Sequence, residues 1–283
     1  MIKRVGTFRN PPQLAVSEIQ VPGSVYSHFA VKDLRSGIVG QGDAPSREIA
    51  QTKAVFELIE RSVFDEAARG KNVNSSGWAA HRTLESAQQG AVKELCERDA
   101  IMVTWMLKRS PKTIGELQVK LLNRDFPLFH FATYGTLVVA GTIIEVSSRQ
   151  RMLISAAGDQ IADCIEKLSG EAERAALILQ NRDDLHDPKL QVHHLSFCSA
   201  DQGDLQWLFA DGEVEILDLP QFEFQDFEAE LWDGTVAYVS HACSSALQRL
   251  YWGHSHFSNL NRARLRTSCS RPYRLNRMLH PIL

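Results

Sequence analysis

Several absences narrow the reading of this 283-residue chain before any motif is considered. It holds only five cysteines, Cys96, Cys164, Cys198, Cys243 and Cys269, which are odd in number, widely scattered and without a Cys-x-x-Cys. That pattern excludes a disulfide framework and a zinc ribbon, and it fits a reducing cytosol. Cys96 and Cys164 sit at helical positions among apolar neighbours and read as small core residues. No continuous apolar run of about 20 residues could span a membrane, and the amino terminus carries charges and Pro11-Pro12 where a secretory signal would be apolar. The expectation is a cytoplasmic protein. An excess of one charge is also missing: the net charge is -3 and the pI about 6.4, so no polyanionic partner such as nucleic acid is indicated. Nor is there a Gly-x-x-x-x-Gly-Lys-Ser/Thr phosphate loop, a Gly-x-Gly-x-x-Gly turn, a His-Glu-x-x-His or a Gly-x-Ser-x-Gly elbow. The common nucleotide-binding and hydrolase classes are therefore unsupported. The pairs His193-His194 and His254/His256 have no cysteine or carboxylate at ligand spacing and read as ordinary histidines.

What is present is a repeat. Glu57-Leu58-Ile59-Glu60-Arg61 and Glu94-Leu95-Cys96-Glu97-Arg98 both read Glu-x-x-Glu-Arg, each inside a helix-like stretch. A given residue at a given position is a chance on the order of one in twenty, so two copies with the same flanks are hard to assign to accident. In a helix the two glutamates lie at i and i+3 on one face, with Arg four places after the first. A single copy is accounted for by an exposed face with one Glu-Arg pair, which contributes a few tenths of a kcal/mol. Two helices side by side would instead converge four carboxylates, which repel one another unless a cation sits among them; Mg2+ carrying phosphates is the usual occupant of such an oxygen site.

The periodicities place these motifs. Val25 to Val39 reads as one or two strands closed by Gly37 and by Gly40-Gln41-Gly42. Ser46 caps a helix to about Ala68, with Ile49, Lys53, Phe56, Ile59 and Val63 at helical spacing and Gly70 as its stop. Asn74 to Ala80 forms a turn, and Thr83 opens a second long helix to about Lys108, ended by Pro111. Leu128 to Ala132, Thr136 to Val146 and Arg151 to Ala156 read as neighbouring strands; Gly158-Asp159 opens a helix to Gln180. Short strands follow near Val192 to Phe197, Val214 to Leu217 and Val236 to Ser240, with a helical piece at Ala246 to Trp252. The simplest assembly is one mixed α/β (α+β) domain over residues 1–283.

The stretch from Asn74 to Ala100, with its Ser-Ser-Gly-Trp-Ala-Ala turn followed by Glu-Leu-Cys-Glu-Arg-Asp-Ala, resembles the signature region of the YcaO family. Gly40-Gln41-Gly42 with Glu57-x-x-Glu60-Arg61 resembles it too, as does Asn259 to Leu265 with His280-Pro281. The resemblance implies a YcaO-like domain whose glutamates, on successive helices, hold Mg2+ on the triphosphate of ATP. Position by position, Glu57 and Glu60 match the first helix, and Glu94, Glu97 and Arg98 the second. Lys167 and Glu171 match a third element that pairs a basic residue with a Glu four places on. The implied metal ligands are Glu57, Glu60, Glu94, Glu97 and Glu171, with Arg98 and Lys167 as fixed cations beside the nucleotide. Gln41, Ala54, Arg82 and Ser86 depart from the family's usual Lys, Ser, Asn and Glu.

The implied activity is ATP-dependent modification of backbone amides in a ribosomally made precursor peptide. Its first form is azoline-forming cyclodehydration of Cys, Ser or Thr during bacteriocin maturation, as for microcin B17 or trifolitoxin. Thioamidation or amidine formation by the same ATP activation is one alternative, and an ATP-binding accessory or scaffold protein that does not hydrolyse ATP is another. The implied partners are the precursor peptide, a separate ThiF-like leader-recognition protein and a flavin-dependent dehydrogenase. The end of the chain, Met278 to Leu283, keeps one proline and lacks the Pro-rich tail of many azoline-forming members.

Overall fold

The computed structural model describes residues 2–5, 13–19, 21, 23–69, 75–147, 150–180, 205–231, 234–250, 260–269 and 275–276. The first half runs β1 (Lys3–Val5), β2 (Leu14–Ile19), β3 (Ser27–Asp33), β4 (Val39–Ala44), α1 (Arg47–Ala68), β5 (Trp78–His81) and α2 (Leu84–Leu107). Then come β6 (Lys112–Val119), β7 (Arg124–Tyr134), β8 (Leu137–Ser147), β9 (Gln150–Gly158) and α3 (Ile161–Gln180). The rest is a helical turn α4 (Gln206–Phe209), strands β10 (Glu215–Leu217), β11 (Glu223–Glu230) and β12 (Val236–Cys243), and a short helix α5 (Arg262–Thr267). The fold is mixed α+β, and it divides into two compact units interleaved in sequence: Met1–Leu95 with Gln221–Ser244, and Cys96–Pro220 with Ser245–Leu283. The long helix α2 carries the chain from the first to the second.

The first unit holds two sheets, β1-β11-β12-β5 and β2-β3-β4. Helix α1 serves both, because it presents two apolar stripes. Ala50, Ala54 and Leu58, at i, i+4 and i+8, pack with Phe29, Val31 and Ala44 of the three-stranded sheet. Ile59 and Val63 pack with Trp78, Phe227 and Val239 of the other. Ser46 caps the helix by accepting the Ile49 N–H. Of the expected stripe, Ile59 and Val63 are buried while Ile49 and Lys53 are exposed; in the first turns small alanines take the buried line because β4 lies against the helix backbone. Gly40-Gln41-Gly42 accordingly does not close a strand but forms the middle of β4. A Cβ on Gly40 would lie 2.1 Å from the Ala54 carbonyl oxygen, and one on Gly42 2.1 Å from that of Ala50.

The second unit is built on the sheet β10-β7-β8-β9, with β6 pairing β7. Helix α3 covers it, burying Cys164, Leu168, Ala172, Ala175 and Leu179 against residues that include Leu128, Ala140, Ile144 and Ile154. The last turns of α2 are buried on all sides, from Ala100 through Met106, as an apolar helix within a core must be. Asp99 lies fully buried in their midst and pairs with Arg264 of α5 at 2.8 Å, while Tyr134 Oη and the Gln248 N–H also donate to it. Arg264 extends the chain of charges to Glu215 at 2.9 Å, and Arg109 joins there at 2.8 Å. Burial lifts the Asp99 carboxyl, and Arg264 opposes the rise. Burial lifts Glu215 as well, but Arg264, Ser268 and Arg109 outweigh it and hold Glu215 below the ordinary value.

Both helix-core cysteines are buried as expected, and burial pushes Cys164 up to about 11. The expected helix at Ala246 to Trp252 is absent through Leu250; a turn there instead exposes the Gln248 N–H to Asp99 and the Ser245 and Leu247 carbonyls to Asn261. Strands β1, β2, β5, β6 and β11 escaped the sequence reading, which took Trp78 to Ala80 as part of a turn; β2 is almost wholly exposed and half of β11 is charged, so neither alternates clearly. Gly70, Asn74, Val192 to Phe197, His193, His194, His254, His256, Asn259 and the end of the chain lie outside the described residues. Among the described residues no helix is long and apolar enough to cross a membrane.

Candidate functional site

Within the first unit a cavity of about 750 Å3 opens along the third, polar stripe of α1. Lys53, Phe56, Glu57 and Glu60 line it from the helix, with His81 and Arg82 at the end of β5. Each glutamate on this side is fixed by a backbone amide. The Gln41 N–H donates to Glu57 Oε2 at 2.7 Å, which the glycine-lined approach of β4 makes possible, and Arg61 pairs with Glu57 Oε1 at 2.5 Å. Glu60 accepts the Ala80 N–H. Glu94, from α2, accepts both the Gly77 and Trp78 N–H groups through Oε2, at 2.7 and 2.8 Å. Gly77 has a left-handed φ of +80°, so the turn Ser75-Ser76-Gly77 points two successive amides at one carboxylate.

Three carboxylates are thereby brought together, and their mutual repulsion is visible on Glu60. Burial first, then the negative charges of Glu94 and Glu57, raise its carboxyl well above the ordinary value, against Arg61 and the Ala80 amide. A divalent cation relieves that condition, and oxygen donors are what Mg2+ takes. Among the described residues no group of three or more His, Cys, Asp or Glu stands together as a ready metal site; Glu57 and Glu94 each give one oxygen to backbone amides.

Glu97, Arg98, Lys167 and Glu171 belong to the second unit. There Glu97 Oε1 accepts the Ser155 hydroxyl at 2.7 Å, and Lys167, exposed on α3, donates to the Ala157 carbonyl at 2.8 Å. Glu97 and Lys167 both act electrostatically on Cys164, which places them around one end of α3. Arg98 and Glu171 are half-buried, the latter one turn beyond Lys167. The sequence reading passes over Ser155 and His81, and it places Lys53 and Phe56 on the core stripe of α1 where the structure puts them in the cavity wall. Lys53 and Phe56 sit four and one positions before Glu57 and could have been found by that spacing; Ser155, which orients Glu97 from β9, carries no local signal.

No protein-family model matches the chain, and no curated protein does. Solved structures do match its fold. One is the YcaO protein from Methanopyrus kandleri, bound with AMPPCP and Mg2+, at 14% identity and a TM-score of 0.60 over 81% of this chain and 84% of that one. Another is a chain of the E. coli microcin synthetase McbBCD complex with pro-MccB17 bound, at 10% identity and 0.62 over 95% and 96%. A heterocyclase in complex with substrate and cofactor matches at 12% identity and 0.70, over 95% of this chain and 55% of that one. The mixed α+β architecture is YcaO-like in fold.

Proposed function

We propose that this protein uses Mg2+ and ATP to modify backbone amides of a ribosomally made precursor peptide, in the first instance by azoline-forming cyclodehydration at Cys, Ser or Thr in bacteriocin maturation. The observation that carries the reading is the group of Glu57, Glu60 and Glu94, three carboxylates each held by backbone amides, of which Glu57 and Glu60 line a cavity of about 750 Å3. The likeness in fold to a nucleotide- and Mg2+-bound YcaO protein and to a synthetase chain with its precursor bound supports the same reading.

ATP with Mg2+ would supply a phosphoryl group that turns an amide oxygen into a leaving group. The chain's own contribution is positioning and charge. Glu57, Glu60 and Glu94 would be metal ligands of the first unit, and Glu97 and Glu171 would be metal ligands of the second. Arg98 and Lys167 would balance phosphate charge, and Ser155 would keep Glu97 turned to its task. Backbone amides at Gln41, Gly77, Trp78 and Ala80 set each first-unit carboxylate before the ligand arrives, so little reorganisation is needed on binding. The peptide and a separate leader-recognition protein of ThiF-like type would complete the system, with a flavin-dependent dehydrogenase acting on the azoline.

The test is incubation of the purified protein with precursor peptide, partner and Mg-ATP, followed by mass spectrometry and phosphate assay. Loss of one water per modified residue, coupled to phosphate release, is expected. Unchanged peptide mass with no phosphate release would sink the enzymatic reading. Glu97→Gln is expected to abolish turnover and the dependence on Mg2+.

A further inference from the structure

The end of β12, in the first unit, holds a thiol and an imidazole in contact. Cys243 Sγ lies 3.7 Å from Nδ1 of His241 and 3.6 Å from Nε2, so the sulfur faces both ring nitrogens. His241 is buried, and its ring stacks on the Trp78 indole with centroids 4.4 Å apart at 11°. Cys243 is only half-buried, whereas Cys96 and Cys164 are sealed in the core, where burial raises both thiols above their ordinary value. A thiolate is the reactive form of cysteine, and an adjacent imidazole takes up its proton. The imidazolium so formed gains from the face of the indole on which it lies. Glu223, paired with Cys243 across the ladder, is exposed, so solvent damps its charge. The same strand end is tied to the turn that holds Glu94. The Ala242 N–H donates to the Gly77 carbonyl at 2.7 Å, His241 is the ladder partner of Trp78, and the Gly77 and Trp78 amides donate to Glu94. The Trp78 indole N–H, in a residue 3% exposed, meets no acceptor among the described residues.

We propose that Cys243 is a modification site for low-molecular-weight disulfides such as oxidised glutathione, and that its occupancy is passed through His241 and Ala242 to the turn that holds Glu94. In the step, the Cys243 proton passes to His241 and the thiolate attacks one sulfur of the disulfide. A bond forms between Cys243 and that sulfur, the original sulfur–sulfur bond breaks, and the departing thiolate takes the proton from His241. The exchange is balanced without a further oxidant. The added group occupies the space beside the imidazole and lifts it from Trp78. That packing yields readily, because the indole N–H buried in it has no acceptor to lose. Movement at His241 and Ala242 draws on the Gly77 carbonyl, and the two amides on Glu94 turn away with it. An effect on metal binding rests on the role given to Glu94; the modification and the loosening of the turn do not.

The experiment treats the full chain with oxidised glutathione, maps the adducts by mass spectrometry, and measures hydrogen exchange over residues 75–81 and Mn2+ affinity before and after, with dithiothreitol as the reversal. Cys243→Ser and His241→Asn are the variants. A glutathionyl adduct on Cys243 is expected, forming about tenfold more slowly in His241→Asn. Because His241 is buried, its variant is paired with a second reading, the rate at Cys243 in folded against urea-unfolded wild type, and the folded chain should be the faster. The adduct should speed exchange over 75–81 and weaken Mn2+ binding about tenfold, both reversed by dithiothreitol and both absent in Cys243→Ser. No adduct on Cys243, or one that forms more slowly in the folded than in the unfolded chain, would overturn the site. An adduct that leaves exchange over 75–81 unchanged would overturn its link to the turn. A loosened turn with unchanged Mn2+ affinity, or in a chain that binds no Mn2+ at all, would uphold the modification site and reject Glu94 as a metal ligand.

Discussion

Glu94 Oε2 receives two hydrogen bonds from consecutive backbone amides, those of Gly77 at 2.7 Å and Trp78 at 2.8 Å. The carboxylate is therefore both a candidate metal ligand and the anchor of the turn before β5. The two roles separate by substitution. Glu94→Gln keeps an oxygen that accepts both amides, so its unfolding free energy should fall by less than about 1 kcal/mol while Mn2+ affinity drops. Glu94→Ala strands two half-buried donors and should cost about 2–3 kcal/mol, read from the denaturant midpoint.

Glu60 should make the metal-free protein less stable as the solution turns alkaline. Its folded-state pKa is raised above the ordinary 4.5, so above that pH the unfolded chain releases the proton while the folded protein keeps it, and stability falls with rising pH until the folded value is passed. Glu60→Gln removes the term. In chelator, thermal midpoints of the wild type are expected to decline relative to Glu60→Gln as pH rises above the ordinary 4.5, and the difference between the two curves is the measurement. Parallel curves would mean that Glu60 is not held protonated.

The same two residues show what a sequence can disclose. Glu57, Glu60 and Glu94 were visible because a helix repeats every 3.6 residues, and spacing alone fixes which side chains share a face. The helix ends were visible too, since Ser46 and Thr83 are local caps that accept amides two or three residues on. What a helix packs against was not. The buried line of α1 runs through Ala50 and Ala54, not Ile49, because β4 approaches the helix backbone, a tertiary fact with no periodic trace. Ser155 and Glu97 meet from a strand and a helix 58 positions apart, and Arg264 reaches Asp99 across 165. Pairings at that range leave no pattern in composition.

Arg264 is expected to be the most destabilising single truncation in the second unit. It is buried between Asp99 and Glu215, at 2.8 and 2.9 Å, so Arg264→Ala leaves the buried Asp99 without its cation and Glu215 with Arg109 alone. Breaking a buried pair in this way costs about 3–5 kcal/mol. Glu215 adds a pH signature of opposite sign to that of Glu60. Its folded value is lowered beneath 4.5, so its contribution is fully present above 4.5 and is lost as pH falls through the folded value. Acid denaturation followed by fluorescence should start at higher pH in Arg264→Ala, and Glu215→Gln should flatten the acid limb below about pH 4.5.

Gly40 and Gly42 should be intolerant of the smallest side chain, and the damage should reach the site before it reaches the fold. A Cβ at Gly40 would stand 2.1 Å from the Ala54 oxygen and 2.3 Å from the Leu58 nitrogen, all of it backbone that cannot rotate aside. Either β4 withdraws from α1 or the helix shifts. Withdrawal lengthens the Gln41 N–H contact to Glu57, now 2.7 Å, and frees that carboxylate to swing towards Arg61 alone. Overpacking of this kind costs about 1–3 kcal/mol, so Gly40→Ala should still fold at low temperature. Its Mg-ATP affinity, however, should fall about tenfold, because a displacement near 1 Å is enough to spoil a prearranged ligand set. Because every obstructing atom is backbone, trimming the neighbouring methyl in Ala54→Gly should recover neither loss. A fall in stability with no fall in nucleotide affinity in Gly40→Ala would show that the strand–helix approach matters only for packing.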